Sequence, residues 1–172
     1  MITLKRRTHN IFGFAISIAI CLTVLRLGLL YSSIISMYFS IVINYIVDSI
    51  GGHRGYRRSP HTHSIIGSAI ISILVSLPII IAVRSLSLSI PKEIQLSLLA
   101  LAILVGLSHV LLDMFTADGV YPLWPFKKTK VSLLQTRYDN LILNILMIIV
   151  SLLIIIEALY NEIKPHIEKL LP

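Results

Sequence analysis

Cysteine is almost absent from this chain. Cys21 stands alone inside an apolar run, which excludes an intramolecular disulfide and any Cys-rich zinc module and leaves the thiol as a packing group. Charge is scarce too. Only 13% of the 172 residues are charged while 56% are hydrophobic, and a soluble domain of this length could not hide so much apolar surface. The mean hydropathy of +0.88 points the same way. No internal repeat or low-complexity tract is present, and no convincing cleavage site follows Lys5-Arg6-Arg7 and the apolar stretch after it, so that stretch is read as retained. The expectation is an all-α, polytopic membrane bundle of about five transmembrane helices, forming one membrane-embedded domain over 1–172.

Between Ile11 and Val47 the only charge is Arg26. One helix over that length would span roughly 55 Å at ~1.5 Å per residue, against a hydrocarbon core of ~30 Å, so two shorter spans fit better. Gly28 and the pair Ser32-Ser33 are the breakers available, placing the turn between Arg26 and Ser33. The expected spans are about 11–27, 32–47, 64–83, 94–112 and 141–160, with Pro78 as a possible kink in the third. Two longer polar loops, 48–63 and 114–140, then fall on the same side as the N-terminus.

That side holds Lys5, Arg6, Arg7, Arg54, Arg57, Arg58, Lys127, Lys128, Lys130 and Arg137 of the fifteen basic residues. The positive-inside rule makes it cytoplasmic and puts the C-terminus outside. The net charge of +7 and pI near 9.8 therefore read as a membrane-orientation signal, with membrane lipids as the surroundings and nucleic acid as the disfavoured partner. Tyr121, Trp124 and Phe126 suit an interfacial aromatic belt.

Against this apolar background the stretch Ser108-His109-Val110-Leu111-Leu112-Asp113 stands out, because four residues on a helix put imidazole and carboxylate on one face. Ionisable groups are costly in such a segment, which makes a functional site the default reading. His9, Asp48, His53, His63, His109 and Asp113 all fall on the expected cytoplasmic side, and His166 does not. Neutral imidazoles and carboxylates suit zinc or another divalent first-row ion, and six candidates suit one or two ions that activate a water against a phosphate ester. Arg57, Arg58 or Arg137 could hold the phosphate, and Asp48 or Asp118 could manage protons. Each has a plainer reading: His9 and His53 as interfacial side chains, Asp48 as a cap, Asp118-Gly119 as turn chemistry, His61 as a neighbour of His63.

Thr8-His9, Asp48 with His53, Pro60-His61-Thr62-His63-Ser64, the His109 to Asp113 block, Gly119 and Leu123-Trp124-Pro125-Phe126 together resemble the YdjM-type membrane-bound metal-dependent hydrolases. That family is grouped with the zinc-dependent phospholipase C superfamily, whose members are helical. The resemblance covers about residues 8–126 and implies that His9, Asp48, His63, His109 and Asp113 are metal positions. His53-Arg54-Gly55 is separated from Thr62-His63-Ser64 by Tyr56 to His61, where relatives place a His-Arg-Gly element directly before Thr-His-Ser. The expected function is a metal-dependent hydrolase acting on a phosphoester or phospholipid. The competing expectations are a non-enzymatic membrane protein whose metal ties helix ends while basic loops bind a partner, and, less well placed, metal transport.

Overall fold

Hydrocarbon offers no partner to a backbone N–H or C=O, so a membrane chain closes those bonds within its own segments, and helices do this locally. The structure, a computed structural model, describes residues 6–50, 58–85, 92–137 and 139–168. It contains α1 (Arg6–Thr23), α2 (Gly28–Ile50), α3 (Ile65–Ser85), α4 (Lys92–Met114) and α5 (Leu141–Glu168). Among the described residues there is no strand, and the loop after α4 is folded back on itself by isolated bridges pairing Thr116 with Thr136 and Val120 with Val131.

Four segments are long and apolar enough to cross a membrane: Gly28–Ser49, Ile65–Ala82, Lys92–Met114 and Leu141–Pro165. At ~1.5 Å per residue, the 23 residues of α4 cover roughly 34 Å, enough for a ~30 Å core. α1 is the fifth helix and differs from the others, because its opening Arg6-Arg7-Thr8-His9-Asn10 is polar. It packs along α2 and α5 and also meets α4, which buries Thr8 and His9 of this opening at the bundle end while Arg6 and Arg7 stay exposed. α3 continues through Pro78 without interruption.

The turn between α1 and α2 comes at the early edge of the expected window. Ile20 O accepts from Val24 N and Leu25 N, Cys21 O accepts from Leu27 N, and Arg26 (φ 51) and Gly28 (φ 72) take left-handed backbone. Ser32 and Ser33 are therefore not breakers but part of α2. The Ser33 hydroxyl donates to Leu29 O at 2.7 Å, so the helix itself satisfies the polar group.

Polarity is arranged inside out. On α2 the exposed face carries Ile34, Met37, Ile41 and Tyr45, while the buried face carries Ser32, Ser36, Ser40, Asn44 and Asp48 at four-residue spacing. On α3, Ile66, Ile70, Leu74, Leu77 and Ile81 face outward while Ser68, Ser72 and Ser76, in line with Ser64 just before the helix, face inward. Water would reject such a surface; lipid accepts it, and small side chains let helices approach closely. Gly106 shows the closeness, since a Cβ there would overlap the Ser68 and Ser72 hydroxyls of α3. The apolar centre is Phe39, Ile43 and Val47 of α2 against Leu98, Leu101, Ala102 and Val105 of α4, with Cys21 packed among them.

Candidate metal centre

Antiparallel neighbours joined by turns bring the start of α1, the end of α2, the approach to α3 and the end of α4 to one end of the bundle. Those are the places where His9, Asp48, His63, His109 and Asp113 sit, and all five are buried, with 1%, 4%, 1%, 1% and 0% of their surface exposed. The local sequence explains how His63 is aimed. Ser64 caps α3 by accepting from Gly67 N at 3.1 Å, Thr62 Oγ1 lies 2.9 Å from His63 Nδ1, and His63 N donates to Ser59 O. The loop after α4 pins this turn, because Tyr121 N donates to His63 O and Ile65 N donates to Pro122 O.

Gly67 holds the turn against α3. A Cβ at this position would overlap the His61 carbonyl, a backbone group with no rotamer to yield. Gly67→Ala should destabilise the protein by about 1–3 kcal/mol and displace His63, although alanine in a helix is otherwise favoured by about 0.8–1.0 kcal/mol. Thermal unfolding and metal titration of the detergent-solubilised variant check this; a stabilised variant with intact metal binding would show that the turn does not press on the helix.

The donor atoms form a ring. His63 Nε2 lies 3.7 Å from Asp48 Oδ1 and 3.5 Å from Asp113 Oδ2, while His109 Nε2 lies 3.4 Å from each of the same two oxygens. His9 Nε2 approaches the other oxygen, Asp113 Oδ1, at 3.1 Å, and its ring stacks on His109 with centroids 4.1 Å apart. Two ligand atoms held ~2.0–2.1 Å from one ion at tetrahedral angles are about 3.3–3.4 Å apart, so these edges match a coordination shell. Two overlapping sets, His9-His109-Asp113 and Asp48-His63-His109, could each hold a metal ion.

Protonation sharpens the point. His109 Nδ1 lies 2.9 Å from Asn44 Oδ1, and Asn44 Nδ2 in turn donates to Asn10 Oδ1 at 3.0 Å. An amide oxygen only accepts, so Nδ1 carries a proton, and in the neutral ring Nε2 would be the nitrogen left to ligate, facing two carboxylate oxygens. His109 Nε2 meets only the two carboxylates among the described residues, and Asp113 is ion-paired through Oδ1 with the Arg58 guanidinium at 2.7 Å while Oδ2 faces His63 and His109. Buried charges pair or coordinate metals, and a ring of donors with these spacings can do either: close on protons and Arg58, or take up an ion. Burial also lowers the His63 pKa from the usual 6.5 despite Asp48 and Asp113 nearby, favouring the neutral, ligating form.

Asn44 is therefore the residue that sets the His109 tautomer. Partners of this kind typically govern metal affinity 10–100-fold, so Asn44→Leu should weaken metal binding by about that factor while preserving the fold. Competition titration with a chromogenic chelator measures it; unchanged affinity would mean that His109 is aimed by packing alone.

Arg58 is buried and engaged. Its Nη1 donates to Asp113 O at 3.0 Å, Thr116 Oγ1 at 2.6 Å and Gly119 O at 3.2 Å, and Nη2 lies 2.7 Å from Asp113 Oδ1. This geometry gives it a positioning job on Asp113 instead of an open phosphate contact. Arg137 is exposed and pairs with Asp139 at 3.1 Å, away from the ring of donors. Asp118 lies half-buried in the turn before Gly119 and is not among the groups that could hold a metal. His61 is exposed, edge-on to Trp124 with centroids 4.3 Å apart. His53 and Arg57 lie outside the described residues. Sequence reading missed Asn44, Asn10 and Arg6, whose Nε lies 3.7 Å from Asp48 Oδ2; the Asn44 to Asp48 spacing of four was the available signal.

An all-helical membrane bundle with a buried His/Asp cluster at one end is the class of protein that fold and site define. Within that class the chain belongs to the YdjM inner membrane protein family, whose sequence profile matches residues 4–171. No curated protein and no solved structure matches the chain.

Proposed function

We propose that this protein is a membrane-bound, metal-dependent hydrolase of phosphoesters, with phospholipids as the natural substrate class for a site at a bundle end. The observation that carries the reading is the convergence of His109 Nε2 on Asp48 and Asp113 oxygens at 3.4 Å, with the other ring nitrogen held by Asn44. Imidazole and carboxylate donors suit zinc. When bound, such an ion is a Lewis acid that lowers the pKa of a coordinated water. His9, His63, His109, Asp48 and Asp113 would hold the ion, Arg58 orients Asp113, and Asp48 is the carboxylate proposed to manage protons. The concentration of Lys and Arg at this end supports a cytoplasmic placement of the site, with the end of α5 on the other side.

The test is elemental analysis and hydrolysis by protein purified in detergent, beside His109→Ala. Wild-type protein should retain divalent metal and cleave at least one of a panel of phosphodiesters and phospholipids, and the variant should do neither. Fully metal-loaded protein that cleaves none of them would overturn the hydrolase reading. Burial of all five ligands favours a second reading, a closed structural site that ties the helix ends together. X-ray absorption spectroscopy of the loaded protein separates the two: an exchangeable water in the coordination shell fits hydrolysis, and a shell filled by protein fits the structural role.

A further inference from the structure

The five cluster ligands are buried, but one of them meets an exposed cation. Arg6 Nε lies 3.7 Å from Asp48 Oδ2, with the arginine side chain 51% exposed and the aspartate 2%. That separation exceeds hydrogen-bond range, so the carboxylate does not occupy a guanidinium donor. The Arg6 guanidinium is nonetheless held in place, its carbon 5.3 Å from the centre of the Tyr45 ring. Four other described arginines are placed differently, and Arg7, though exposed beside Arg6, makes no ion pair with the cluster among the described residues. Arg58 is buried with its donors on Asp113, Thr116 and Gly119, and Arg137 grips both oxygens of Asp139. Arg84 bonds Gln95, and Arg26 sits in the α1–α2 turn, both at the far end of the bundle.

From this juxtaposition we infer that Arg6 is an anion-binding residue of the site, taking the non-bridging oxygens of a phosphoryl group that approaches the cluster from the Asp48 side. The inference rests on the proposed hydrolase reading and adds the feature that selects substrate: an anionic phosphoester is attracted where a neutral carboxylic ester or amide is not. A guanidinium can grip two phosphate oxygens at once, which an ammonium cannot. The plainer role, an ion pair that only neutralises Asp48, predicts a different outcome, because losing it would disturb the metal first.

The experiment compares zinc-loaded wild type, Arg6→Gln and Arg6→Lys in detergent, with inorganic phosphate as the probe in calorimetric titration and metal content measured in parallel. Arg6→Gln should keep its metal and bind phosphate at least about tenfold more weakly, the loss expected of one charge-assisted pair, and Arg6→Lys should fall between. If turnover is present, Arg6→Gln raises KM for the phosphoester more than it lowers kcat. Phosphate affinity unchanged in Arg6→Gln, absence of phosphate binding by the wild type, or loss of metal from Arg6→Gln would each overturn the inference. Should Arg6→Gln fail to insert, wild type against Arg6→Lys decides: equal affinity overturns, weaker affinity with equal metal supports. Phosphate bound through Arg6 by a protein that hydrolyses nothing sinks the hydrolase reading and leaves this one standing.

Discussion

Asp113→Ala should strip the protein of bound metal and lower its stability by about 3–5 kcal/mol, the range seen when one partner of a buried ion pair is removed. The aspartate is fully buried and faces four cationic or ligating groups: Arg58 at 2.7 Å, His9 at 3.1 Å, His109 at 3.4 Å and His63 at 3.5 Å. Alanine leaves the Arg58 charge without a counter-ion and opens the ring of donors on the side where His63 and His109 meet. Asp113→Asn separates the two losses, because it keeps the volume and one oxygen but not the charge, so metal should still be lost while less packing is disturbed. Metal content together with chemical unfolding in detergent reads both. Wild-type metal content in Asp113→Ala would refute the cluster as the binding site.

How far this arrangement could be read in advance depends on what each residue needs in order to be understood. His109 and Asp113 declare themselves through helical spacing within an apolar run, and Asp48 and His63 through being ionisable at span ends, so local chemistry was sufficient. The helical class follows from composition, because hydrocarbon leaves few alternatives. The Ser32-Ser33 pair misled because serine signals a turn in water, whereas in lipid its hydroxyl bonds back to its own helix and the chain continues. α1 was harder to bound since its polar opening belongs to the site and not to a span. Arg58, Asn44 and Arg6 owe their roles to partners on other elements. No single-segment pattern distinguishes a buried guanidinium that organises Asp113 from an exposed one facing solvent; only packing separates Arg58 from Arg137.

Arg58→Met should be nearly as damaging as Asp113→Ala, with stability lowered by about 3–5 kcal/mol, for the complementary reason. Methionine fills much of the arginine stem, so lost packing is small and the effect isolates the guanidinium. Without it, the Asp113 carboxylate loses its guanidinium counter-ion, and the Asp113 and Gly119 carbonyls lose a donor they share. Thr116 keeps its bond to Asp113 O at 2.9 Å, so the end of α4 is not wholly released. Metal affinity should fall about 10–100-fold, as for the loss of a partner that orients a ligand, with Arg58→Lys restoring part of it because an ammonium can reach Asp113 but cannot bridge all three loop acceptors. A phosphate-gripping Arg58 predicts the reverse pattern: metal retained, phosphate affinity lost. Metal titration and phosphate titration on Arg58→Met and Arg6→Gln therefore form a crossed pair, and metal binding that survives in Arg58→Met at wild-type strength would remove Arg58 from the metal centre.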